Sequence, residues 1–252
     1  VISEALRVQS NAPERSWLAR LFGRSPLSPD SRSWYLGAIG EIEVARVLDQ
    51  LGPGWTVLHA IPVGRAGSDI DHLVMGPGGV YTINSKHHEG KTVWVGAKRL
   101  LVNGQRTDHL RNATFEARRV AKLLSAAAGS SVSVVPIIAL VAARSITMKE
   151  RPADVVVLAS RRLELWLRSR PVQLSVDELE RLRECAIDEA TWGSPPLPEP
   201  DLAAFAQLRE AVASARARRR GWAVALAASV ILASLAMPLA AGLLGPALTT
   251  LW

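Results

Sequence analysis

From Gly221 to Trp252 the chain carries no Asp, Glu, Lys, Arg or His, a run of 32 uncharged and mostly apolar residues. A helix needs about 20 apolar residues to cross the hydrocarbon core of a bilayer, so residues 222–244 suffice for one span and fall short of two. A single C-terminal transmembrane helix is therefore expected, and these residues are withdrawn from any globular core. Pro238 would kink such a helix rather than end it. Arg216, Arg218, Arg219 and Arg220 stand directly before the run and no charge follows it. Lys and Arg mark the cytoplasmic flank of a span, so the expected location is the cell membrane, single-pass, with the N-terminal domain in the cytoplasm. Trp222 and Trp252, near the two ends of the run, suit interfacial positions.

The remaining residues have the composition of an ordinary globular domain. The chain of 252 residues has a formal charge of +7, but that charge is unevenly spread. Residues 37–112 hold eight basic and seven acidic side chains, residues 113–174 hold ten and four, and residues 175–210 hold three and nine. Four of the basic residues are the arginines beside the apolar run, so net charge alone is not evidence of nucleic-acid binding. Only 113–174 offers a basic surface within the globular part. One cysteine, Cys185, excludes an internal disulfide framework. Intrinsic disorder, a collagen-like chain and a multispan transporter are excluded by composition.

Periodicity gives a mixed α/β plan. Residues 1–33 read as a short helix and linker. Gly40, Val44, Val47, Leu48 and Leu51 recur at helical spacing until Gly52-Pro53-Gly54. Three strands are expected at 55–63, 69–75 and 80–86, the last two joined into a hairpin by Gly76-Pro77-Gly78-Gly79. A smaller hairpin is expected at 91–95 and 99–102, then a helix over 112–124, a buried strand within 132–143 and another strand at 154–159. Ser175 and Glu178 form a capping box that opens an acidic helix. A Pro-rich linker at 193–200 precedes a helix over 201–220. The expected domains are an N-terminal helix and linker (1–33), an α/β domain (34–170), a helical stalk with the Pro-rich linker (171–220), and the transmembrane segment with a short tail (221–252).

Within the hairpin, strand alternation puts Asp69 and Asp71 on one face, and Asn84 and Lys86 on one face of the partner strand. Acids facing a lysine across a sheet admit two readings. One is a divalent-cation site acting on an anionic substrate, where a hard metal polarises a phosphoryl oxygen and the lysine stabilises developing charge. The other is a solvated sheet face with a cross-strand ion pair. Glu41, near the start of the preceding helix, would add a second acid to the first.

The segments Gly37-Ala38-Ile39-Gly40-Glu41, Ile70-Asp71-His72, Gly76-Pro77-Gly78-Gly79 and Lys86 with Gly90 resemble the nuclease-related domain (NERD) family, grouped with the PD-(D/E)xK nucleases. The resemblance covers about residues 34–124. It implies a restriction-endonuclease-like α/β core, a mixed sheet flanked by helices, here followed by the stalk and one C-terminal transmembrane helix. It also implies a catalytic set of Glu41, Asp71 and Lys86, with magnesium- or manganese-dependent hydrolysis of DNA and no organic cofactor. Where that pattern has an acid two residues before the lysine, this chain has Asn84. Asp71 and Glu41, with Asn84 and Ser85 completing the shell, are the expected metal ligands. The loss of a charge at Asn84 keeps a second function open: a degenerate nuclease fold that binds nucleic acid or protein at a membrane.

Arg111, directly before the expected 112–124 helix, falls on one helical stripe with Arg118 and Lys122. They suit a phosphate backbone and equally suit the wet face of an amphipathic helix. His72 alternates away from Asp71 and reads as a packing or hydrogen-bonding residue. His87 and His88 read as solvent-exposed. The chain has no Walker loop, no GxGxxG, no paired CxxC and no HExxH, so nucleotide hydrolysis, dinucleotide binding and zinc chemistry have no sequence support.

Overall fold

The computed structural model describes residues 1–63, 69–193 and 198–248, with residues 235–248 described by backbone alone. Three helices open the chain, α1 (Ile2–Ser10), α2 (Trp17–Leu21) and α3 (Pro29–Leu48). Six strands follow: β1 (Thr56–Pro62), β2 (Asp69–Gly76), β3 (Gly79–His87), β4 (Thr92–Gly96), β5 (Arg99–Val102) and β6 (Gln105–Thr107). Then come α4 (His109–Ala128), β7 (Val134–Val141), β8 (Ser145–Met148), β9 (Val156–Ala159), α5 (Leu163–Arg168), α6 (Val176–Ile187) and α7 (Leu202–Leu248).

The first compact unit comprises residues 35–199 together with Val1. Its central sheet has the order β1-β2-β3-β7-β9, with β1, β2 and β3 antiparallel and β3, β7 and β9 parallel. Period-2 alternation sorts the side chains onto two faces. Leu73 and Met75 of β2 pack with Val120 and Leu124 of α4 and Leu182 of α6. Val74, Tyr81 and Ile83 pack on the other face with Val44 and Leu48 of α3 and Leu163 and Leu167 of α5. With helices on both faces, β7 is buried almost throughout, which is why it reads as a continuous apolar run. Pro136 fits in β7 because β9 begins to pair only at Ile137, where the strand becomes internal. A four-stranded sheet, β6-β5-β4-β8, adds a third packed layer through Val93, Val95 and Leu100.

The mixed sheet flanked by helices agrees with the expected fold class, and the β2–β3 hairpin turns at Pro77-Gly78 as its sequence predicts. The Ser175 capping box is present with both of its reciprocal hydrogen bonds. The boundary of the α/β domain needs correction. α6, expected in a stalk, belongs to the α/β unit because Leu182, Ala186 and the following Trp192 are buried against β2 and α4. The unit therefore runs to Glu199 rather than to residue 170.

The second unit comprises residues 2–34 and 200–252. α1 packs on α7, burying Ala5, Phe205, Val212 and Ala215 in this unit. Gly23, at φ +70°, lets the chain after α2 approach α7 closely; a Cβ there would lie 2.5 Å from the Ala215 carbonyl oxygen. The Trp222 indole donates to the Leu21 carbonyl at 2.9 Å. α7 is one helix of 47 residues that joins the expected stalk to the start of the apolar run. Among the described residues no helix is long and apolar enough to cross a membrane. The expected span over 222–244 extends into residues whose side chains lie outside the description.

Candidate functional site

The site forms where the β-ladder is interrupted around Asp71. Regular β2–β3 pairing ends at His72↔Ile83, and no β1 partner pairs with Asp71, although pairing resumes at Ile61↔Ile70. The residue opposite, Ala60, is held at φ +50°, a left-handed conformation that costs a non-glycine residue about 1–3 kcal/mol. In place of the ladder, the Asp71 carboxylate serves β3 directly. Its Oδ2 accepts from the Ser85 backbone N–H at 2.7 Å and from Ser85 Oγ at 2.8 Å. Among the described residues these bonds leave Oδ1 without a hydrogen bond.

One residue earlier on β3, Asn84 Nδ2 donates to Glu116 Oε2 at 2.7 Å. Asn84 is only 8% exposed, and its Oδ1 is buried without a partner. Glu116 comes from α4, and its acid lies at the edge of the stripe formed by buried Ala113, Ala117, Val120 and Leu124. Glu41 is brought in by α3. The preceding Gly40 lets that helix lie against the end of β3, since a Cβ there would come within 3.2 Å of the His87 Cβ. Lys86 is half-buried at the same end of β3.

These groups share one electrostatic field. Burial, with the Asp71 charge second, pushes the Glu41 carboxyl up to about 8. Burial also raises Asp71 against the opposing pull of Lys86 and the Ser85 hydrogen bonds. Glu116 is raised by burial too, with its bond from Asn84 working the other way. Burial thus drives three neighbouring carboxyl groups toward their neutral forms, and the single Lys86 charge does not offset it. A hard divalent cation would add further positive charge. The donor set suits one, since carboxylate oxygens and an unpartnered amide oxygen are magnesium and manganese ligands. As the side chains stand, no group of three or more His, Cys, Asp or Glu among the described residues converges as a metal cage. Asp71 and Glu116 instead hold Ser85 and Asn84.

The expected residues Glu41, Asp71, Asn84, Ser85 and Lys86 all meet here. The Ser85 hydroxyl and N–H orient Asp71, a role beyond the expected metal ligation. Arg111, Arg118 and Lys122 do form an exposed stripe on α4, but Arg111 is ion-paired with Asp108 at 3.2 Å. His72 is buried and shares a hydrogen bond with His59, Nδ1 to Nδ1, at 2.7 Å. Burial lowers His72 to about 3 and leaves the pair neutral. His87 and His88, expected at the surface, are half-buried, and His88 stacks on His109 with ring centroids 5.6 Å apart.

Glu116 was missed at the sequence level. The available signal was an acid set three residues after Ala113 and four before Val120, inside an otherwise apolar helical stripe.

The α/β scaffold thus gathers acids and a lysine at an interrupted hairpin. Residues 36–142 match the family model described as the nuclease-related domain, NERD. The α/β unit therefore carries a nuclease-related domain, consistent with the PD-(D/E)xK nuclease grouping. No curated protein and no solved structure gives a significant match.

Proposed function

We propose that this nuclease-related domain hydrolyses phosphodiester bonds in DNA with Mg²⁺ or Mn²⁺. The observation that carries the proposal is the Asn84–Glu116 pair. Asn84 is hydrogen-bonded to Glu116 and its buried Oδ1 lacks a partner; in this reading Glu116, from α4, supplies the acid absent from strand position 84. Asp71, Glu41, Glu116 and Asn84 Oδ1 are the residues that would hold the ion. Bound there, the metal would polarise a phosphoryl oxygen and acidify a water. Ser85 fixes the Asp71 rotamer. In this reading the Lys86 ammonium stabilises charge on the scissile phosphate or orients the attacking water.

The test is cleavage of plasmid, linear and single-stranded DNA by the full chain with Mg²⁺ or Mn²⁺, beside Asp71→Ala, Lys86→Ala and Glu116→Gln. Mn²⁺ binding is measured on the same proteins by electron paramagnetic resonance. Cleavage that survives all three substitutions rules out these residues as the source of the activity. A second reading, a non-catalytic nucleic-acid- or protein-binding module, is favoured by the absence of a ready-made cage among the described residues. It predicts that neither Mn²⁺ binding nor cleavage is found.

The proposal includes a membrane tether, with the nuclease-related domain on the cytoplasmic side. It is supported by the uncharged run after Gly221, by the four arginines before it, and by a patch in the second unit. There Trp17 (71% exposed), Leu18, Leu21 and Phe22 are exposed, and Phe22 lies against Trp222 with ring centroids 5.3 Å apart. Exposed aromatic clusters flanked by arginine suit the headgroup level of a bilayer. Release of the full chain from membranes by a carbonate wash would overturn this part.

A further inference from the structure

Residues 143–170 of the α/β unit line an open groove of about 1010 Å³ with a marked chemical bias. Arg144, Arg151, Arg161, Arg162 and Arg170 face it, and no Asp or Glu contributes to its lining. Among the described residues Arg144, Arg151, Arg161 and Arg162 have no acidic partner. Arg170 is held in place, its guanidinium 4.4 Å from the Trp166 ring centroid and its Nε donating to the Trp166 carbonyl at 3.2 Å. Gly78 of the hairpin turn makes room for it, because a Cβ there would lie 2.5 Å from the Arg170 Cβ.

Five like charges around one concavity repel each other and raise the local potential, a cost the fold does not offset with acids. Such a site attracts a polyanion. The floor adds neutral donors, since β9 is the last strand of its sheet and its open edge lies in the lining. Backbone N–H groups and arginines are the usual partners of phosphate oxygens.

The groove also lies in line with the acid cluster. Lys86 pairs in register with Leu140, and Leu140 with Ala159, so the three form one row across the sheet. Two strand spacings separate Lys86 from Ala159, about 10 Å. Arg161 and Arg162 follow Ala159 within three positions. At about 3.4 Å per nucleotide along one strand, the arginines stand about three nucleotides from a phosphate at Lys86.

We propose that this arginine groove, rather than the α4 stripe, is the track that holds the phosphate backbone of a nucleic acid as it passes the Asp71–Lys86 site. The proposal rests on the nuclease reading for its direction, while its binding chemistry stands without it. Nothing in the NERD match covers the groove arginines Arg144, Arg151, Arg161, Arg162 and Arg170, which all lie beyond residue 142.

The test measures binding of a fluorescein-labelled 20-base-pair DNA duplex, and of its single strand, to the full chain in EDTA by anisotropy across a salt series. Arg144→Gln/Arg161→Gln/Arg162→Gln should weaken binding at least about tenfold near 0.1 M salt. It should also flatten the slope of log K against log salt by about 0.9 for each phosphate that is no longer neutralised. Arg144→Lys/Arg161→Lys/Arg162→Lys should retain most of the affinity, since holding a phosphate depends on charge. Arg111→Gln/Arg118→Gln/Lys122→Gln should change affinity less than threefold.

Wild-type affinity and slope in the groove glutamine variant would overturn the proposal. So would groove-dependent sedimentation with phosphatidylserine vesicles and no binding to either DNA. If groove variants lose binding and no metal supports cleavage, the groove stands and the nuclease reading falls. If cleavage is found and groove variants bind as wild type, the reverse holds.

Discussion

The acid cluster around Asp71 and the arginine groove beside β9 are charged regions of one sheet, and they pay for their charge in opposite ways. Asp71, Glu41 and Glu116 are drawn in from three different elements, half-buried, and raised toward neutrality first by burial and then by neighbouring carboxylates. The groove arginines come from one stretch of chain after β7, stay exposed, and keep their charge in water. The difference teaches where function constrains the fold. The cluster requires an interrupted ladder, a left-handed Ala60 and a glycine at position 40. The groove requires little beyond an open edge and the room that Gly78 leaves.

The largest expected effect that would break this comparison lies at the cluster. Asp71→Ala should lower DNA cleavage by about two orders of magnitude or more, because it removes a carboxylate that would hold the metal. Glu116→Gln should weaken Mn²⁺ binding about ten- to a hundredfold, read by electron paramagnetic resonance, with DNA binding in EDTA unchanged. Equal Mn²⁺ affinity in Glu116→Gln and wild type would show that the helix acid does not replace the one missing at position 84.

Stability should separate the two regions next. Ile83→Ala, in the fully buried layer beneath the cluster, should cost about 2–5 kcal/mol in urea unfolding. Arg161→Gln should stay within about 0.5 kcal/mol of wild type. A comparable destabilisation at Arg161 would mean that the groove is part of the structural framework after all.

Acid should act on the sheet and leave the groove untouched. His72 is 2% exposed and its folded pKa, about 3, lies below the ordinary value of 6.5. The unfolded chain therefore takes up a proton at His72 that the folded chain refuses. The stability this group contributes is full above pH 6.5 and is lost as pH falls toward 3, with a slope of up to about 1.4 kcal/mol per pH unit. Urea titrations at pH 7, 6, 5 and 4 should show a shallower decline for His72→Phe than for wild type. The smallest effect should be that of Arg111→Gln alone. An exposed ion pair such as Arg111–Asp108 is worth at most about 1 kcal/mol, and removing it should be invisible in cleavage.

Much of the site is legible in the sequence. Period-2 alternation and Gly76-Pro77-Gly78-Gly79 specify a hairpin, and that hairpin carries Asp71 and Lys86 into one region. Glu41 is legible through its motif with Gly40. Glu116 is not, because a single acid at the rim of an apolar stripe looks like the start of the wet face. Only the packing of α4 onto β3 turns it toward Asn84. The place of α6 is hidden for a related reason. An acidic helix next to a Pro-rich linker has the composition of a stalk, but two apolar residues at its buried edge, Leu182 and Ala186, with Trp192 just after it, are enough to seat it in the core. β6, β8 and α5 escape sequence reading because elements of three to six residues carry too little periodicity to stand out from their loops.

The sequence by itself determined the local patterns: the hairpin and its turn, the capped α6, the apolar run with its arginine flank, and the motif that identifies a nuclease-related domain. These depend on interactions between residues a few positions apart, which spacing records directly. Tertiary structure alone decided that Glu116 joins Asp71, that Ser85 orients it, and that five arginines after β7 surround one groove. These depend on which helix face meets which strand, and at separations of 32 residues, as between Asn84 and Glu116, that choice is made by the packing of the whole core.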